Sequence, residues 1–155
     1  MRFRALVIDD YPPCRDLLHH ILGARGYEVS CFAGADFCEV CFSSTACCTR
    51  ENPCADFLLI DNRMPGISGL ELLYLQKKGG CKIASANKAI LSCAWSPLDY
   101  NRAQSFGCRI FQKPYKWEEI FSWLDKQENV LRKRALPKEN RAKNRTRLNG
   151  TGERH

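Results

Sequence analysis

The sequence lacks any long hydrophobic run. None of its apolar segments approaches the roughly 20 residues that a membrane-spanning helix needs, and residues 1–4 lead directly into a short strand-like segment rather than into the apolar core of a signal peptide. Apolar residues are also scarce after Leu131. We therefore expect a soluble, cytoplasmic protein without a membrane partner, and a last segment that cannot build a core of its own.

The positive charge of the chain is concentrated at one end. Residues 131–155 hold nine Lys or Arg against two Asp or Glu, which accounts for the net charge of +7, while the remainder holds 15 of each sign. This predicts one domain over residues 1–130 and a basic, disordered tail over residues 131–155. With no room for an output domain, we expect a stand-alone module. The tail could attract nucleic acid without sequence specificity, although such runs are more often simply solvated.

Five apolar, strand-like runs alternate with segments of helical spacing. The predicted strands are Ala5–Ile8, Glu28–Phe32, Phe57–Ile60, Ala89–Ser92 and Arg109–Gln112. The predicted helices are Pro13–Ala24, Ala35–Phe42, Ser68–Gln76, Pro97–Phe106 and Trp117–Leu131. Parallel strands need a crossover helix between them, so the alternation favours an open parallel sheet with helices on both faces.

Charged side chains follow three of these strands. Asp9 and Asp10 come after the first, Asp61 after the third and Lys113 after the fifth. The carboxyl ends of parallel strands form the ligand-binding edge of such a sheet, so these groups should converge. Neighbouring carboxylates repel one another unless a cation is present, and Mg²⁺ prefers oxygen ligands. Together with a lysine, such a site suits phosphoryl transfer, in which a carboxylate can be the nucleophile.

The motifs at the strand ends resemble those of the receiver domain of two-component response regulators. The resemblance covers roughly Phe3 to Glu128 and rests on Asp9-Asp10, Asp61 with Met64-Pro65 and Gly69, Ser92, and Lys113-Pro114. It implies a flavodoxin-like, doubly wound sheet of five parallel strands in the order 2-1-3-4-5.

The resemblance also implies roles in signalling. Asp61 would accept a phosphoryl group from a sensor histidine kinase or phosphotransfer protein, Ser92 would hydrogen-bond a phosphoryl oxygen, and Lys113 would pair with the acyl phosphate. The phosphorylated module would then contact a downstream protein. It would be a phosphoacceptor with slow autodephosphorylation rather than an enzyme.

The metal ligands follow from the same resemblance. Asp10 and Asp61 would ligate Mg²⁺ together with the backbone carbonyl of Arg63, while Asp9 would act mainly through a metal-bound water. The guanidinium of Arg63 could also reach the phosphoryl group. We therefore hypothesise that Arg63 changes the lifetime of the acyl phosphate, which an unchanged dephosphorylation rate in Arg63→Asn would reject.

Two positions depart from the family pattern. Ile110 stands where receivers usually carry an aromatic residue, three positions before the lysine, with Phe111 on the opposite face of the strand. We therefore expect output to depend more on the loop after Ser92 than on the usual aromatic relay. Cys93, beside Ser92, leaves this loop open to oxidation.

Cysteine is abundant, and six of the ten fall between residues 31 and 54. They are Cys31, Cys38, Cys41, Cys47, Cys48 and Cys54. The absence of an export signal favours reduced thiols. One C-x-x-C with further thiols could bind metal or respond to redox state, but a second C-x-x-C is lacking and free cysteine packs as a small hydrophobe.

Three functions therefore remain open at the level of sequence. The leading one is phosphorylation-controlled signalling. The alternatives act independently of phosphorylation, either through the cysteine-rich segment between the second and third predicted strands, which we call the insertion, or through the basic tail. A flavin carrier and an aspartyl-phosphate hydrolase are disfavoured, because the first strand is followed neither by a Ser/Thr-rich phosphate loop nor by a nucleophile with an acid two residues beyond it.

Overall fold

The computed structural model describes residues 1–43 and 45–137. Most of the predicted basic tail, from residue 138 onward, lies outside the described residues. The chain divides into two units, Met1–Lys116 and a second that begins at Trp117. The predicted domain boundary at residue 130 stays a prediction.

The first unit is built on one sheet of five parallel strands in the order β2-β1-β3-β4-β5. The strands are β1 (Arg4–Ile8), β2 (Glu28–Phe32), β3 (Phe57–Asp61), β4 (Lys88–Ser92) and β5 (Arg109–Gln112). Each agrees with the predicted strand to within one residue at either end. The predicted fold class and strand order are confirmed.

Three α-helices of the same unit cover both faces of this sheet: α1 (Pro12–Ala24), α2 (Gly69–Lys78) and α3 (Pro97–Ser105). The fourth helix, α4 (Trp117–Ala135), belongs to the second unit. Every residue of β3 and β4 is buried, which explains their continuous apolar character. Leu58, Ile60 and Ile90 share one core cluster with residues of α2 and α3, whereas α1 contacts β1 and β2 from the opposite face.

Local capping determines where α2 begins. The Ser68 side chain accepts a hydrogen bond from the Glu71 backbone amide at 3.1 Å, and the Glu71 carboxylate accepts one from the Ser68 amide at 3.0 Å. This reciprocal capping box satisfies two amides that the first helical turn leaves unpaired. It starts the helix a few residues after Asp61, so the intervening loop is short.

The predicted helix at Ala35–Phe42 is wrong. The structure has only a 3₁₀ turn there, Glu39–Cys41, and no regular element from Phe42 to β3 among the described residues. Ala35 and Val40 are buried, and Phe37, Cys38 and Cys41 pack against the same core cluster, while the Glu39 carboxylate accepts a hydrogen bond from Thr49 Oγ1 at 2.7 Å. A helix of about two turns is marginal by itself, so these tertiary contacts determine the conformation of the segment.

Helix α4 forms the described part of the second unit. It buries Ile120, Trp123 and Leu124 and continues four residues past its predicted end at Leu131, with Arg132 Nη2 lying 3.5 Å from Glu128 Oε2 one turn earlier. Oppositely charged side chains four residues apart stabilise a helix, which favours the continuation of α4 past Leu131. No helix in the described part of the chain is both long enough and apolar enough to span a membrane.

Candidate functional site

The carboxyl ends of three strands bring the predicted acids and lysine together. The parallel register aligns Ile8 with Ile60, so the residues that follow, Asp9 and Asp61, emerge side by side. One carboxylate oxygen from each of Asp9, Asp10 and Asp61 lies within 4.8 Å of the others. Asp9 and Asp61 are buried and Asp10 is half-buried.

Lys113 bridges two of these carboxylates. Its Nζ lies 3.0 Å from Asp9 Oδ2 and 3.0 Å from Asp61 Oδ1. The Lys113 backbone amide donates to the Ser92 carbonyl at 2.8 Å, which extends the β4–β5 ladder to the site. One ammonium therefore partly neutralises two acids from different strands.

The electrostatics of the site follow from its burial. Burial raises the pKa of Asp61 above its ordinary value, and the hydrogen bond from Lys113 opposes this shift. Burial alone would lower the pKa of Lys113, but its hydrogen bonds to Asp61 and Asp9 raise it above the ordinary value. Lys113 is therefore a permanent cation, while the acids repel one another and favour a further positive charge.

Asp9 is held by its surroundings on every side. Its Oδ1 accepts a hydrogen bond from the Tyr11 amide at 2.9 Å, its carbonyl accepts one from Arg15 Nη1 at 2.8 Å, and its own amide donates to the Phe32 carbonyl at 3.1 Å. Since its Oδ2 is bonded to Lys113, Asp9 is oriented as a fixed part of the acidic cluster.

Ser92 lies at the end of β4 but its hydroxyl is turned into its own loop. The Ser92 Oγ donates to the Ala94 carbonyl at 2.9 Å and is buried. The neighbouring Cys93 is exposed, as is the side chain of Arg63. Ile110 packs against the core cluster that contains α2 and α3 residues. The proposed roles of these residues stay predictions.

Three further residues surround the site that the motifs alone did not single out. Arg15 binds the Asp9 carbonyl, and the Tyr115 ring centroid lies 5.8 Å from Lys113 Nζ, within the range of a cation–π contact. Burial raises the pKa of the Cys14 thiol, on which the charges of Lys113, Asp9 and Asp61 also act. Arg15 follows the first two acids by about one helical turn and Tyr115 follows Lys113 after one proline. This proximity in the sequence was the available signal.

The donor set fits a hard divalent cation. Carboxylate oxygens from Asp9, Asp10 and Asp61 share one small region, and Mg²⁺ is usually held by a few carboxylates while it retains several waters. The cluster is therefore suited to this metal by the chemistry of its ligands.

Comparison of the chain with known proteins identifies its architecture. No family model matches the chain. A solved response regulator receiver domain protein, described as CheY-like, from Methanospirillum hungatei is 26% identical, with a TM-score of 0.62, over 84% of this chain and 99% of that one. The chain has a response regulator receiver fold.

Two curated proteins are also similar to the chain in sequence. Sporulation initiation phosphotransferase F of Bacillus subtilis is 28% identical over 122 residues, which cover 77% of this chain and 89% of that protein. Transcriptional regulatory protein AruR of Pseudomonas aeruginosa is 39% identical over 69 residues, which cover 44% of this chain but only 27% of that protein. The resemblance seen in the motifs is thus confirmed.

Proposed function

We propose that this receiver accepts a phosphoryl group on Asp61 from a histidine kinase or phosphotransfer protein in the cytoplasm, and relays the signal through contacts with a downstream protein. The observation that carries the proposal is the position of Lys113, whose Nζ lies 3.0 Å from carboxylate oxygens of both Asp61 and Asp9. A half-buried cation between two acids suits a site that must accept a further anionic group.

The chain's own residues supply the nucleophile and the charge balance. Lys113 engages Asp61 Oδ1, and we assign Asp61 Oδ2 as the attacking oxygen. The new bond joins this oxygen to phosphorus while the bond from phosphorus to the donor imidazole breaks, and the imidazole leaves with the electron pair and is then protonated. Lys113 remains an ammonium and pairs with the phosphoryl oxygens. Ser92 O–H turns from Ala94 to donate to one of them.

The acidic cluster would hold the metal. Asp9, Asp10 and Asp61, with the carbonyl of Arg63, would bind Mg²⁺, which when bound neutralises charge on the phosphoryl oxygens. Asp61 is itself modified in each transfer, so we class the protein as a signalling phosphoacceptor rather than an enzyme. The name of the Bacillus subtilis relative, a phosphotransferase, is in line with such a role.

Intact-mass analysis after incubation with acetyl phosphate and Mg²⁺ tests this function. We expect one phosphoryl adduct that is lost in Asp61→Asn and in excess chelator. The exposed acid Asp36 provides the matched control, since Asp36→Asn should keep the adduct. Absence of an adduct under conditions that phosphorylate another receiver, or an adduct that survives in Asp61→Asn, would overturn the proposal.

A further inference from the structure

A second cluster of metal-ligating side chains lies away from the acids. One small cavity of about 40 Å³ is lined by four cysteines. They are Cys38, Cys48, Cys54 and Cys81. The first three belong to the irregular segment between β2 and β3, whereas Cys81 follows α2. That Cys81 lines the same cavity is visible only in the folded chain. Cys31, by contrast, lies on β2, where burial raises the pKa of its thiol.

The backbone holds the two sides of this cavity together. The Cys48 amide donates to the Gly79 carbonyl at 2.8 Å, and the Cys81 amide donates to the Gln76 carbonyl at 2.9 Å. A Cβ on Gly79 would come within 2.7 Å of Val40 Cγ1, so the absence of a side chain there lets the insertion pack against the end of α2. Three chain segments are therefore anchored around the thiols.

A buried polar chain leads from a cation to one of the sulfurs. Lys88 Nζ donates a hydrogen bond to Gln76 Oε1 at 2.9 Å. Gln76 Nε2 in turn donates one to Cys38 Sγ at 4.0 Å. Gln76 and Lys88 are only 2% and 5% exposed. The lysine orients the amide so that its N–H groups face the sulfur, an arrangement that stabilises a thiolate bound to metal.

The charges around the cavity also suit an anionic metal centre. Arg50 and Lys82 line it together with Glu39, and Glu39 Oε1 lies 4.0 Å from Arg50 Nε. With Lys88 behind Gln76, the surrounding side chains carry a net positive charge of about two. A divalent cation with four thiolates carries the opposite charge of about minus two.

We propose that Cys38, Cys48, Cys54 and Cys81 bind one tetrahedral, thiolate-preferring divalent cation, for which Zn²⁺ is the probe. Zinc–sulfur bonds of about 2.3 Å place tetrahedral sulfurs about 3.8 Å apart. In the described chain no three cysteine sulfurs lie within 4.8 Å of one another, so binding rotates the side chains towards the centre of the cavity. Each thiol gives up its proton as the metal binds.

This inference is independent of the phosphoacceptor function. Lys88 is the first residue of β4 and Ser92 the last, so the two ends of this strand are separated by about 13 Å. The thiol cavity lies beside the amino-terminal end and the acids at the carboxyl end. Cys81→Ser should therefore leave the acetyl phosphate adduct unchanged, and failure of one proposal leaves the other standing.

Metal stoichiometry and thiol protection test the site. After reduction and equilibration with Zn²⁺, the full chain should hold about one ion that resists gel filtration, falling several-fold in Cys81→Ser and Cys38→Ser but not in the controls Cys31→Ser and Cys108→Ser. With Co²⁺, the wild type should show the visible spectrum of a tetrahedral thiolate complex.

Alkylation of the unaltered protein removes any dependence on the folding of variants. Zn²⁺ should protect Cys38, Cys48, Cys54 and Cys81 from alkylation while the exposed Cys47 and Cys93 remain reactive. Little bound metal, equal loss in Cys31→Ser, or protection that does not include Cys81 would each overturn the proposal.

Discussion

Gly69 stands directly against the backbone of Asp61: a Cβ at position 69 would lie 2.6 Å from the Asp61 carbonyl oxygen. The Gly69 amide donates to the Asn62 carbonyl at 3.0 Å, and Asn62 Oδ1 accepts from the Leu70 amide at 3.2 Å. The start of α2 is thus packed onto the carboxyl end of β3, which carries the proposed phosphoacceptor. Only a residue without a side chain permits this approach.

Gly69→Ala should therefore destabilise the protein by about 2 kcal/mol, because backbone must move to admit the methyl group. It should also reduce the yield of the Asp61 adduct with acetyl phosphate. Urea unfolding and intact-mass analysis measure the two effects. Gly23, where a Cβ meets nothing within 4 Å, is the control within α1, and Gly23→Ala should be neutral or slightly stabilising. Equal behaviour of the two variants would contradict the packing argument.

Mg²⁺ should stabilise the folded receiver. A ligand that binds only the folded state adds about 2.7 kcal/mol at a concentration of 100 Kd, so the melting temperature should rise with Mg²⁺. Asp10→Asn should weaken this dependence, because it removes one of the three clustered carboxylates. Glu51→Gln, a change at an exposed acid, should leave it intact. A melting temperature that is insensitive to Mg²⁺ in the wild type would count against the metal site.

The stability of the metal-free wild type, compared with that of Asp61→Asn, should depend on pH in a defined direction. Burial raises the pKa of Asp61 above its ordinary value of 3.8, so the folded state holds this proton more tightly than the unfolded state. The wild type consequently loses stability as pH rises through the interval between the unfolded and folded pKa values. Asparagine is uncharged, so Asp61→Asn loses no stability through this titration.

Asp61→Asn should thus be more stable than the wild type at neutral pH, and this advantage should disappear below the ordinary carboxyl pKa of 3.8. Denaturant titrations in chelator at several pH values provide the measurement. A difference in unfolding free energy that stays constant with pH would show that the carboxyl does not titrate as its burial requires.

The buried pair of Gln76 and Lys88 should be energetically coupled. Gln76→Leu removes the oxygen that accepts from Lys88 Nζ and should cost about 3 kcal/mol, because it leaves a poorly compensated buried charge. The double variant Gln76→Leu with Lys88→Met should recover part of this loss. Gln104→Leu, at an exposed position of α3, should have little effect. Additive unfolding free energies across the cycle would exclude the coupling.

Much of the fold and of the acidic site could be predicted from local pattern. Continuous apolar runs identified β3 and β4 because both faces of these strands are buried. Asp61 follows such a run, and in a parallel sheet the ends of neighbouring strands meet at one edge. The convergence of Asp9, Asp10, Asp61 and Lys113 therefore needed only the correct architecture.

The tertiary structure decided what local pattern could not. The segment Ala35–Phe42 has helical spacing but is too short to form a stable helix by itself, so its conformation depends on partners distant in the chain, among them Gly79. The same contacts bring Cys81 to Cys38, Cys48 and Cys54. Sequence alone determined the strands and the acids at their ends, because each strand carries its own burial pattern. The grouping of thiols was determined only by folding, because it depends on contacts between segments that no short-range pattern encodes.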